Sequence, residues 1–127
     1  MNPEKVVFGF FIVLALTLNF GFVLGDMDDP AHHPVYEFFA VVVVNLIATV
    51  LKLGDRTQIG AVLLATSLVA VLQLLAASAL WTYAVYVSAA GLTPATMASV
   101  VSLSSGAVLA NVISVILLVV ETVNLRR

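Results

Sequence analysis

The sequence predicts an all-α, polytopic membrane protein with four transmembrane helices, and three observations lead to that class. Hydrophobic residues make up 62% of the 127 and charged residues 9%, whereas soluble domains run near 45–50% and about 25%. Four apolar stretches are long enough to cross a hydrocarbon core as a helix, which takes about 20 residues. Every Lys and Arg lies outside these stretches, and only in alternate segments between them.

The spans are predicted at about 6–24, 35–51, 59–87 and 97–120, forming one transmembrane domain over 1–127. None contains Asp, Lys, Arg or His, and the acid within these limits is Glu37. Gly25 and Gly54 follow the first two spans, where a left-handed C-terminal cap favours glycine. Asp55 with Gln58 three residues on reads as a capping box for the third span. Thr93-Pro94 reads as an N-cap followed by proline at the first helical position of the fourth. A turn is expected around Gly91.

Positive charge near helix ends is retained on the cytoplasmic side of a membrane. Lys5, then Lys52 with Arg56, then Arg126 with Arg127 occupy the N-terminal tail, the second connection and the C-terminal tail, while 25–34 and 88–96 carry neither residue type. Four crossings put the three basic segments on one side, so both termini are expected in the cytoplasm. Trp81, Tyr83 and Tyr86 sit where the third span meets the outer interface, as an aromatic belt would. The first span is expected to stay in place rather than be cleaved as a signal peptide, because it is longer than a typical apolar signal region and Val23-Leu24-Gly25 is a poor cleavage site.

Helix association in lipid leans on small residues and on polar groups paired across contacts. Ala98, Ser102, Gly106, Ala110 and Ser114 recur at four-residue steps and predict a packing stripe on the fourth helix; Gly21 and Gly25 repeat the spacing on the first. Each helix carries one amide near its middle: Asn19, Asn45, Gln73 and Asn111. Unpaired in lipid each would cost several kcal/mol, so they face protein or water, either as a buried hydrogen-bond network or as a polar path.

The segment 25–37 holds both histidines and four of the seven acids. If the second helix began at Pro30, Asp29, His33 and Glu37 would share a face; if it began at Pro34, the acids would lie in a loop above it. Three readings stand side by side. The acids cap a positive helix N-terminus, or His32, His33, Asp29 and Glu37 hold a divalent metal, or Asp26, Asp28, Asp29 and Glu37 form an acidic mouth that concentrates cations.

Asp26-Met27-Asp28-Asp29-Pro30 resembles the D-x-x-E-P signature of the mitochondrial calcium uniporter pore, with Gly25 where that family has tryptophan and Asp29 where it has glutamate. The resemblance implies acidic rings around an ion path at Asp26 and Asp29, with Pro30 matching the proline. The whole chain is similar to small four-helix bacterial membrane proteins of unassigned function, which implies the inner membrane.

Other classes find less in the residues. The absence of cysteine removes disulfides, iron–sulfur clusters and thiolate metal sites. The basic residues are too few and scattered for a nucleic-acid surface. No potassium-filter sequence TVGYG is present, no histidine lies within a span to ligate haem, and the first span lacks the glutamate of small multidrug exporters. Nothing resembles a nucleophile beside a base, so no enzyme and no cofactor beyond a divalent cation at the outer segment is expected. The leading expectation is a small homo-oligomeric cation channel whose partners are the lipid bilayer, further copies of itself and cations. The alternative is a non-conducting subunit of a larger membrane complex.

Overall fold

The computed structural model describes residues 3–26 and 28–125. Arg126, Arg127 and Met27, which entered the charge pattern and the acidic signature, lie outside the described residues. The chain forms α1 (Pro3–Val23), a 3-10 turn (Pro30–His32), α2 (Val35–Lys52), α3 (Gln58–Tyr86) and α4 (Pro94–Leu125). All four α-helices are long and apolar enough to cross a membrane.

Local chemistry sets the starts. Thr93 Oγ1 accepts the Thr96 N–H at 3.1 Å, and Pro94 takes the first helical position of α4, where its missing N–H costs nothing. Before α2, Asp29 accepts the Ala31 N–H and opens the 3-10 turn, and Pro34 stays extended, so α2 begins after it. The start at Pro30 that would align Asp29, His33 and Glu37 on one helical face is therefore replaced by two short elements.

Two predicted caps are corrected. The N-cap of α3 is Thr57, whose hydroxyl accepts the Gly60 N–H at 3.0 Å, while Asp55 accepts from the Thr57 N–H and hydroxyl instead of forming a box with Gln58. Gly54 has no left-handed backbone; α2 ends at Leu53 in right-handed geometry, its N–H donating to the Val50 carbonyl. Gly25 does adopt φ +94° after α1, and a Cβ there would also run into the His32 ring.

Each helix packs on two others: α1 on α2 and α4, α3 on α2 and α4. Successive helices run antiparallel around this closed ring, and the α3–α4 interface is the most extensive. The start of α1, the end of α4 and the 53–57 connection share one end of the bundle, here the terminal end. The 24–34 and 87–93 connections share the other, the loop end.

Two apolar layers stand apart along the bundle. Near the loop end Phe22, Phe38 and Met97 are buried with Trp81 against them, the ring centroids of Phe22–Phe38 and Phe38–Trp81 lying 5.1 and 5.2 Å apart. Near the terminal end Phe8, Ile12, Ala48 and Leu63 form a second cluster. Trp81 thus turns into the bundle, whereas Tyr83 and Tyr86 project outward; the predicted aromatic belt keeps only its tyrosines.

Candidate functional site

A line of polar side chains runs along α4 past both apolar clusters. On α4, Ser104, Asn111, Ser114 and Glu121 are all buried, and their spacing of seven, three and seven residues keeps them on one face. At 1.5 Å per residue this seam runs about 25 Å, most of the roughly 30 Å hydrocarbon thickness of a bilayer.

The facing helices supply its partners. Lys5 of α1 pairs with Glu121 of α4 at the terminal end. About two turns inward, Thr66 of α3 and Ser114 share a hydrogen bond of 2.6 Å; because the Thr66 hydroxyl donates to the Leu63 carbonyl, Ser114 is the donor. Farther along α4, the Asn19 amide of α1, oriented to match its neighbours, donates to the Ser104 carbonyl at 3.3 Å and accepts from the Val108 N–H at 3.2 Å. Asn45 of α2 donates to the Val41 carbonyl of its own helix, and Thr49 donates to the Asn45 carbonyl.

Among the described residues, the polar atoms at the middle of the seam have no hydrogen-bond partner. Asn111 is 0% exposed with both amide atoms unpaired, and the hydroxyls of Ser67 and Ser104 and the Gln73 Oε1 are likewise buried without a hydrogen bond. Ser67 and Asn111 fall on α3 and α4 between the Thr66–Ser114 bond and the contact of Gln73 with Gly106. The four predicted amides thus divide: Asn19 ties α1 to α4, Asn45 bonds within α2, and Asn111 and Gln73 carry unmet capacity.

A cleft of about 860 Å³ lies at the terminal end between the start of α1 and the end of α2, lined by Lys5, Lys52, Asp55, Arg56 and Thr57 among others. Lys52 is buried with its Nζ 4.2 Å from the Phe8 ring centre and 3.3 Å from the Asp55 carboxylate. Hydrogen bonds from the Thr57 side chain and backbone, with lesser help from Lys52, hold the Asp55 carboxyl below its ordinary range despite some opposing desolvation.

At the loop end the acidic segment is largely occupied with its own folding. His33 is 0% exposed, its Nδ1 2.5 Å from the Phe22 carbonyl and its Nε2 2.8 Å from the Asp26 carbonyl. The Phe22 carbonyl belongs to the last turn of α1, whose carbonyls lack partners within the helix, so His33 serves as its cap. The Asp26 N–H donates to His32 Nδ1, and His32 Nε2 stands 3.4 Å from Asp29.

The predicted metal set of His32, His33, Asp29 and Glu37 is not brought together. His33 is committed to two carbonyls, and Glu37 lies against Gly21 of α1. Asp26, Asp29 and His32 do place ligand-type atoms within 4.8 Å of one another, an arrangement their local hydrogen bonds explain without an ion. Asp26 and Asp28 are exposed and Asp29 and Glu37 half-buried, so all four predicted mouth residues lie at the loop end.

The predicted stripe on α4 is shifted. Ala110 and Ser114 are buried, Ala98 and Gly106 are half-buried, and Ser102 is exposed. The buried face runs instead through Met97, Val100, Ser104, Ala107, Asn111 and Ser114. Gly106 leaves room for the Gln73 side chain: a Cβ there would stand 1.9 Å from Gln73 Oε1.

A family model covering residues 32–122 matches this chain. The chain belongs to DUF6394, a family of unknown function. The family region contains α2, α3 and nearly all of α4, hence Asn45, Ser67, Gln73, Asn111 and Glu121; α1 and the acids Asp26, Asp28 and Asp29 precede it. No curated protein and no solved structure matches the chain.

Proposed function

We propose that the protein is an integral membrane protein of a bacterial inner membrane, with both termini cytoplasmic, that assembles from copies of itself and passes cations. The observation that carries this reading is the buried seam from Ser104 to Glu121 with Asn111 unpaired at its middle. Polar groups at that depth are expensive in hydrocarbon and characteristically line ion or proton pathways. Asp26, Asp28, Asp29 and Glu37 at the loop end, repeated around an oligomer, would raise the local cation concentration at the outer mouth. The basic residues at the terminal end favour a cytoplasmic position for that end.

Purified protein in liposomes should pass a cation under an imposed potential, and neutralising the acids as Asp26→Asn, Asp29→Asn or Glu37→Gln should lower the flux with the oligomer intact. Reporters at the C-terminus and in the 53–57 connection should be cytoplasmic, and one at Asp28 external. If assembled protein passes no cation, proton included, conduction is wrong.

A second reading, a non-conducting subunit, is favoured by a different feature. An apolar groove of about 560 Å³ between α2 and α3 is lined by Val35, Phe39, Val42, Trp81 and Val85, dimensions that suit side chains of a partner's transmembrane helix. Co-purification of a fixed partner together with absent flux would support it.

A further inference from the structure

Resting on the conduction reading, the geometry points to the proton as the permeating cation and to the interior of each subunit as its route. Two features of the seam select the proton over a metal ion. Its unpaired groups include a donor, the Asn111 Nδ2, among the acceptors Asn111 Oδ1, Ser67 Oγ, Ser104 Oγ and Gln73 Oε1. Water can accept from the amide nitrogen and donate to the oxygens, whereas a bare metal ion would face the N–H groups with charge of the same sign. The seam also carries no carboxylate between Ser104 and Ser114, so it lacks the negative charge that carboxylates bring to the six- to eight-oxygen shell of a calcium ion.

The seam leads somewhere at each end. At the terminal end it reaches the Lys5–Glu121 pair, and Lys5 lines the polar cleft. At the loop end it stops below the layer of Phe22, Phe38 and Trp81, with buried His33 on the far side bonded to the Phe22 carbonyl. The structure is therefore closed toward the loop end by aromatic rings and toward the terminal end by the Phe8, Ile12 and Leu63 cluster. A proton entering from the loop side passes the aromatic layer when the rings part, moves along hydrogen-bonded water past Ser104 and Asn111, and crosses the second cluster to reach Glu121 and the cleft. Each proton taken up at one end is matched by one released at the other, driven by the gradient alone.

The test uses the full chain in liposomes with an internal pH dye and a potassium diffusion potential. Wild type should acidify the lumen faster than protein-free vesicles. Phe38→Ala should raise the proton rate about tenfold by thinning the aromatic layer, and Asn111→Leu should lower it by about tenfold or more. Leu109→Ala, at an exposed position on the opposite face of α4, should leave it unchanged. Because the chain has no cysteine, Ser104→Cys gives an independent measurement: hydroxyl radicals generated from water by an X-ray pulse should label it by oxidation, and Leu109→Cys should stay unlabelled. Flux of potassium or calcium that is insensitive to Asn111→Leu would overturn the proton route while leaving conduction standing. No flux of any ion in wild type or Phe38→Ala would overturn both, and an unlabelled Ser104→Cys in assembled protein would overturn the hydrated seam even if Asn111→Leu failed to fold.

Discussion

Lys5, near the start of α1, and Glu121, near the end of α4, form an ion pair across 116 residues of chain and close the helix ring at the terminal end. Glu121 is 6% exposed, so loss of Lys5 leaves a carboxylate in a poorly hydrated place. Lys5→Met should destabilise the bundle by about 1.5–3 kcal/mol, the range of a hydrogen bond to a charged group. The double variant Lys5→Met, Glu121→Leu should recover part of that loss, since replacing both members removes the stranded charge. Thermal unfolding in detergent checks both, and equal stability of single and wild type would show the pair to be inert.

Gly106 of α4 faces the Gln73 side chain of α3. Gly106→Ala forces the Gln73 side chain aside and should cost about 1–3 kcal/mol, the usual penalty for overpacking. Leu109→Ala on the exposed face should change stability little. Leu118, although off the small-residue stripe, touches Gly9 of α1, so Leu118→Ala should be measurably destabilising as well.

His33 ties the first connection to the end of α1. His33→Ala removes the imidazole that lies between the Phe22 and Asp26 carbonyls, leaves at least one of them without its donor, and should cost about 1–3 kcal/mol. Faster amide hydrogen exchange should appear in 24–34 before it appears in α3 or α4. Uniform acceleration along the chain would contradict this local role.

Asp55 supplies a pH dependence. Its folded-state carboxyl is held below the ordinary value of 3.8 by Thr57 and Lys52. The resulting stabilisation is complete above the unfolded value and fades as pH falls through the lower folded one. Wild type should lose stability below about pH 4 by more than Asp55→Ala does, the unfolded carboxyl titrating near there. Melting curves of the two proteins that stay parallel down through that range would remove the linkage.

The spans were legible because a run of apolar residues is a local property: the helices begin and end within a few residues of the predicted limits, except that α1 starts at Pro3 and α4 at Pro94 and reaches Leu125. Thr93-Pro94 was legible for the same reason. The α4 face was not, since Ala, Gly and Ser are so common along this helix that several stripes fit equally, and only the contacts with Asn19, Thr66 and Gln73 choose among them. A usable signal was present in the polar residues alone: Ser104, Asn111, Ser114 and Glu121 repeat as a heptad face. Glu121 escaped notice because it falls just past the predicted span, and its partner Lys5 lies at the other end of the chain. At the loop end the sequence offered several arrangements of acids and histidines, and the choice rested on which helix carbonyl His33 would reach.

The meeting of α1 with α4 makes the bundle a closed circuit, in which the order of the genetic message is one of several equivalent ways to travel round it. A short linker joining the neighbourhoods of Glu121 and Lys5, with new ends opened at Gly54, would give a circular permutant that keeps the four helices and leaves both ends at the same end of the bundle. Opening the circuit within 88–96 would instead put both ends on the opposite face. With the terminal end cytoplasmic, as proposed, the first rearrangement would ask nothing new of the insertion machinery, and the second would ask it to translocate a terminus.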